Sequence, residues 1–124
     1  MKRLIPFVLV LVLAGCANIQ NAYDTLTGTV VSPTAVYVAR NSFDAVEVTA
    51  TNYIVYCKVH PAQVGCSKSA IAQMIPAVRA GRVARNNLVA FEVAHPGALG
   101  PTGLYDALTA ATNTLQAIQA QYHI

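Results

Sequence analysis

The fold is decided by residues 32–57, which read SPTAVYVARNSFDAVEVTATNYIVYC. Ser32 followed by Pro33 is typical of a helix start, because serine caps the first free amides and proline fits the first helical position. Apolar residues then recur in steps of three and four, at Val36, Ala39, Phe43, Val46, Ala50, Tyr53 and Cys57. A separate polar stripe consists of Arg40, Asp44, Glu47, Thr51 and Lys58. Two stripes with helical spacing predict a long amphipathic helix.

The apolar row from Val36 to Cys57 is called the seam of this helix. The same stretch also has two features that this seam does not explain. It is rich in β-branched residues, and residues 53–59 taken alone would fit a strand. Further apolar residues lie outside the seam, at Val38, Ala45, Val48, Val55 and Tyr56. A helix that is apolar on more than one side predicts either a second neighbour within the chain or a partner molecule.

Two more helices follow in the sequence. The second begins near Ser67 or Ser69 and ends near His95, where Pro96 and Gly97 form a stop signal. Pro76 lies inside it and predicts a kink. The apolar face changes at that point, from Ile71, Met74, Ile75 and Val78 to Ala77, Gly81, Ala84, Leu88 and Phe91.

The third helix follows Pro101 and Thr102. Its apolar seam consists of Leu104, Leu108, Ala111, Leu115, Ile118 and Tyr122. Because the connections are short, neighbouring helices should run antiparallel. We therefore predict an all-α domain over residues 32–124, a small antiparallel three-helix bundle with a kinked second helix.

The N-terminus has a different character. Lys2 and Arg3 precede an apolar run from Leu4 to Leu13, which as a helix would rise only ~15 Å against a hydrocarbon core of ~30 Å. The pattern indicates a secretion signal rather than a membrane-spanning helix. The run ends in Leu13-Ala14-Gly15-Cys16, which resembles the lipobox of bacterial lipoproteins. The alternative is an ordinary signal peptide followed by an incidental cysteine.

The lipobox resemblance implies cleavage of residues 1–15, diacylglycerol on the Cys16 thiol and acylation, typically by palmitate, of the new amine. Ala17, which is not an aspartate, implies the inner leaflet of the outer membrane, facing the periplasm; a Gram-positive source would imply the outer face of the plasma membrane. Residues 16–31 would then be the lipidated cysteine and a tether. Loss of Lys2 and Arg3 lowers the net charge from +3 to +1, which argues against nucleic-acid binding.

The remaining cysteines, Cys57 and Cys66, are then left as a pair. An oxidising periplasm would permit a disulfide across the eight residues between them, where Pro61 and Gly65 favour a turn. Free thiols are one alternative, and the other is a metal site with His60 as a third ligand. We predict the disulfide, no metal site and no cofactor.

No catalytic residue is predicted. Asp44 and Glu47 are neighbours on one helix face, but they share it with Arg40, and antiparallel pairing should place them level with Arg79 and Arg82. That arrangement favours surface ion pairs over an acid–base pair. No nucleophile, metal-hydrolase or nucleotide-binding motif is present in the sequence. Arg79, Arg82 and Arg85 form a basic row, for which contact with an anion or a partner is the alternative to a solvated face.

These observations predict a lipid-anchored, non-enzymatic protein of the cell envelope. Only 10% of its residues are charged, against about 25% in typical proteins, which is typical of a protein held at a membrane or covered by a partner. The expected role is a structural or interaction module with a protein partner or a second copy. Alternatives are a pilotin-like assembly factor, a phage-encoded lysis or exclusion lipoprotein, and a binder of anionic lipid or glycan that uses the arginine row.

Overall fold

A computed structural model describes residues 30–124 of the chain. The helices are α1 (Pro33–Val59), α2 (Lys68–Ala94) and α3 (Thr102–Tyr122). Two short strands, β1 (Val30–Val31) and β2 (Gly100–Pro101), pair with each other beside the helices. The prediction of an all-α three-helix bundle is confirmed.

Local sequence signals set the helix ends. The Ser32 hydroxyl accepts a hydrogen bond from the Ala35 amide at 3.2 Å, and the Ser67 hydroxyl does the same for Ala70 at 3.2 Å. Both serines are therefore helix caps, which confirms the prediction for Ser32 and, of the two starts considered for the second helix, selects Ser67. In the turns that follow α1 and α2, Gly65 and Gly97 have φ angles of 94° and 75°, which are strained for residues with a side chain.

The core is built from the predicted seams. Residues of the α1 seam are buried or half-buried, and Ile54 joins them beside the seam. Along α3 the fully buried apolar positions are Leu108, Ala111, Leu115 and Ile118, flanked by half-buried Leu104 and Tyr122. Thr112 is also buried, and its hydroxyl donates to the Leu108 carbonyl at 2.8 Å, which satisfies it within the helix.

The second helix differs in one respect from its sequence pattern. It is continuous through Pro76, which is exposed, and its buried residues form one row instead of two faces. The row consists of Ala70, Met74, Val78, Gly81, Ala84 and Leu88. Ile75 and Ala77, on either side of Pro76, are both half-buried edges of that row. A bend of the helix axis at Pro76 stays a prediction.

Contacts between the helices establish their directions. Ion pairs join α1 to α2 with residue numbers that rise on one helix and fall on the other, from Arg40–Glu92 to Glu47–Arg82. Near the other end, the Tyr122 hydroxyl donates to Ser69 at 3.0 Å, which ties the end of α3 to the start of α2. The helices therefore run up, down and up. α2 and α3 share the most extensive interface, and α1 and α2 the least extensive.

Candidate interaction surface

The predicted lipidation site lies outside the described residues, as do the signal sequence and nearly all of the tether. Cys16 therefore remains a prediction from the lipobox. Across residues 30–124, none of the helices is long and apolar enough to cross a membrane.

The cysteine pair closes the connection between α1 and α2. The sulfur atoms of Cys57 and Cys66 are 2.02 Å apart, which is disulfide-bond distance, and their Cα atoms are 5.4 Å apart. His60, the third ligand of the alternative metal site, instead packs its ring against Tyr56 with centroids 4.9 Å apart. In the described part of the chain, no cluster of three His, Cys, Asp or Glu residues is placed to hold a metal ion.

Polar contacts reinforce this connection. The Tyr53 hydroxyl donates to the Gly65 carbonyl at 2.8 Å and accepts from the Ser67 amide at 2.7 Å. Tyr53 thus fixes both the turn and the first residues of α2. The sequence placed Tyr53 in the apolar seam and gave no sign of this role, because its two partners lie 12 and 14 residues further along the chain, in the connection before α2.

An ion-pair ladder runs along the α1–α2 interface. Arg85 forms a bidentate ion pair with Asp44: its Nε donates to Oδ1 and its Nη2 donates to Oδ2, both at 3.0 Å. Arg82 donates from Nε to Glu47 Oε1 at 2.6 Å. The carboxylates were expected level with Arg79 and Arg82, so the observed register differs by about one helical turn. The prediction of surface ion pairs in place of an acid–base pair is consistent with this geometry.

The ladder also has a third member that sequence reasoning missed. Arg40 pairs with Glu92, 52 positions away in the sequence. Only the register of the two helices brings these residues together.

The hydrogen bonds from Arg85 to Asp44 raise the pKa of Arg85 above its already high ordinary value, so this guanidinium stays charged at any physiological pH.

The ion pairs of the ladder reduce the number of arginines in the row that are free to bind an anion. Arg82 and Arg85 are already paired with carboxylates, and both pairs are partly exposed. Within residues 30–124, Arg79 has no ion pair and is exposed. The three arginines therefore do not present three free guanidinium groups to one anion, and the geometry gives little support to the anion-binding alternative.

Two of the grooves between the helices contain few groups for chemistry, whereas another, between α1 and α2, is lined by the carboxylates and guanidinium groups of the ion-pair ladder. One is an open groove of about 550 Å³ between α1 and α3, lined mainly by small, hydroxyl and amide residues. Its lining includes Ser42, Tyr105, Asn113 and Gln116 and has no carboxylate, histidine or cysteine. A second groove, between α2 and α3, is lined by Pro76, Ala80, Val83 and Leu104 and is almost wholly apolar.

The side of α1 that faces away from the core is also apolar. Its large apolar side chains are more than half exposed: Val38 at 55%, Val48 at 58%, Val55 at 57% and Val59 at 68%. Tyr37 and Tyr56 lie beside them and are also exposed. Apart from Ile54, the large apolar residues of α1 outside its seam are therefore left exposed by α2 and α3. We call residues 38, 41, 45, 48, 52, 55 and 59 the outer seam.

No protein-family model, no curated protein and no solved structure matches this chain.

Proposed function

We propose that this protein is a lipid-anchored, non-enzymatic interaction module of the bacterial cell envelope, and that the outer seam of α1 is its binding surface. The observation that carries the proposal is that α1 is apolar on two opposite sides, while only one side is used by the core. Exposed valines that recur along one face of a helix are typical of a contact surface.

Two sequence features support the envelope location. The motif at residues 13–16 resembles a lipobox, and acyl chains on Cys16 would attach the protein stably to a membrane. The cysteine pair is of the kind that persists in oxidising compartments. The low share of charged residues fits a protein that is held at a surface and partly covered.

The anchor is tested by the intact mass of the full-length protein expressed with its native N-terminus. We expect a mature chain that begins at Cys16 and carries the added mass of acyl groups. A Cys16→Ser variant should lose both the cleavage and the acyl mass, whereas the neighbouring Ala17→Ser variant should keep them. A mature chain that begins elsewhere, or one without acyl groups, would contradict the anchor.

The binding surface is tested by a photo-crosslinking amino acid placed in the full-length chain in living cells. At Val48 it should give adducts of higher mass. At Val83, which is on α2 and exposed to nearly the same extent (57% against 58%), it should give few or none. Equal adducts from both positions, or none from Val48, would refute the role of the outer seam. Mass spectrometry of the adducts would identify the partner.

A further inference from the structure

The outer seam repeats the core seam with an offset of two residues. Each core residue of α1 from Val36 to Cys57 has an outer-seam residue two positions later, which is a rotation of about 200° at 100° per residue. Burial follows this rule throughout, because the core seam is buried or half-buried and every outer-seam residue is exposed. The outer seam therefore has the steps of a coiled-coil contact over about three heptads.

The central part of the outer seam is palindromic in polarity. Residues 38, 41, 45, 48, 52 and 55 are Val, Asn, Ala, Val, Asn and Val. In two antiparallel copies, residues whose numbers add up to 93 face each other. Val38 then meets Val55 of the second copy, Asn41 meets Asn52, and Ala45 meets Val48. Each of the six layers pairs apolar with apolar or amide with amide.

The amide layers favour a second copy over an unrelated apolar helix. An asparagine pressed against apolar side chains would lose its hydrogen bonds to water, which costs free energy unless a polar partner replaces them. Asparagines at seam positions are known to specify register and partner for the same reason. In the antiparallel pair, Asn41 and Asn52 supply that polar partner to each other, twice.

The residues beside the seam are compatible with the same register. On the flank of the seam, the residues that face each other have numbers that add up to 95. Lys58 of one copy therefore faces the exposed ring of Tyr37 of the other, an arrangement that favours a cation–π contact. Asp44 faces Thr51 of the second copy. No like charges face each other. The six layers span about 26 Å along the helix.

We propose that the partner of the outer seam is a second copy of this chain, bound antiparallel through α1 with Asn41 opposite Asn52. The inference rests on the proposed function, since it names the partner of the same surface.

The test is sedimentation equilibrium of the full-length chain in density-matched detergent. We expect the wild type to have the mass of two chains and Val48→Glu, which puts two carboxylates near the two-fold axis, to have the mass of one. Val83→Glu, at a matched exposure on α2, should remain a dimer. Circular dichroism of each variant should show an unchanged thermal transition of the monomer fold, because both positions are exposed.

Orientation is tested with two double variants. Asn41→Asp with Asn52→Lys places opposite charges face to face only in the antiparallel pair, so this dimer should persist. Asn41→Lys with Asn52→Lys places lysine opposite lysine and should dissociate. In a parallel pair both variants would set like charges together, so dissociation of both would overturn the antiparallel arrangement.

Other outcomes would overturn the second copy as partner. These are a monomeric wild type, or a dimer that Val48→Glu and Val83→Glu affect equally. If the wild type is monomeric while the photo-crosslinker at Val48 captures a different envelope protein, the proposed function stands and this inference fails. If neither is observed, both fail.

Discussion

At the scale of single residues, Gly81 of α2 lies directly against the ring of Phe43 of α1. Phe43 is fully buried, and a Cβ atom built on Gly81 would overlap three atoms of its ring. The Phe43 ring therefore occupies the space that a side chain at position 81 would need. Since the ring is enclosed on all sides, it has no room to move aside.

Replacing Gly81 by alanine should consequently destabilise the fold. Overpacking of a filled core typically costs about 1–3 kcal/mol, of which the better helix propensity of alanine returns up to about 1 kcal/mol. We expect the free energy of unfolding to fall by about 1–2 kcal/mol in urea denaturation. Gly103→Ala is the matched control, because Gly103 is also helical and has no atom within 4 Å of the new Cβ. Equal stability of the two variants would contradict this packing.

At the scale of elements, the turn between α1 and α2 is held by one hydroxyl group as well as by the cysteines. Tyr53 bonds both the Gly65 carbonyl and the Ser67 amide, so it connects α1 to the turn and to the N-terminus of α2. The ring of the same residue packs against the core. A residue that appears only apolar in the sequence thus supports the hairpin through its polar end.

A Tyr53→Phe variant keeps the ring and removes both hydrogen bonds. Because each such bond contributes about 0.5–1.5 kcal/mol and this site is partly exposed, we expect a loss of about 1 kcal/mol of unfolding free energy. Tyr37→Phe on the same helix should have no effect, since the Tyr37 hydroxyl has no hydrogen bond within residues 30–124. Amide hydrogen exchange should locate the difference, with faster exchange at Ser67 in Tyr53→Phe alone. Identical exchange in the two variants would count against this role.

The helices α1 and α3 also differ in the chemistry of their exposed faces. α3 buries one face and exposes amide and hydroxyl groups on the other. α1 buries one apolar face and exposes a second. This asymmetry between two helices of the same bundle is the reason for placing the binding surface on α1.

At the scale of the whole molecule, the three interfaces are unequal. α2 and α3 share the most extensive interface, whereas α1 and α2 share the least extensive one, which includes the ion-pair ladder and the Phe43 ring. The Tyr53 hydroxyl and the cysteine pair join these two helices at the turn. Partly exposed ion pairs contribute little to stability. Attachment of α1 to α2 should therefore depend strongly on the Cys57–Cys66 link.

Reduction of this link should destabilise the whole domain. Closing so short a loop contributes roughly 2–3 kcal/mol on the chain-entropy model, which corresponds to a decrease of about 10–20 °C in Tm for a domain of this size. Thermal unfolding with and without a phosphine reductant measures it. The Cys57→Ala, Cys66→Ala double variant should unfold at a reduced Tm and be insensitive to the reductant. A wild-type Tm that does not respond to the reductant would contradict the prediction.

By itself, the sequence determined the helices, the Ser32 cap and the core seams of α1 and α3, and it favoured the pairing of Cys57 with Cys66, because these depend on residues close together in the chain. Capping uses a serine three residues before its amide, and a seam repeats every three or four residues. It also showed that α1 has more apolar residues than one face needs.

Only the tertiary structure decided the register between helices. It paired Asp44 with Arg85, joined Arg40 to Glu92, fitted Phe43 against Gly81 and merged the two apolar faces of α2 into one row. These contacts link residues about 40 to 50 positions apart in the sequence. The helical periodicity of the sequence does not select them, because it is the same whatever the axial shift of one helix against the next. Side-chain volumes at the interface, which a periodic pattern does not contain, select one shift and leave the outer seam of α1 exposed.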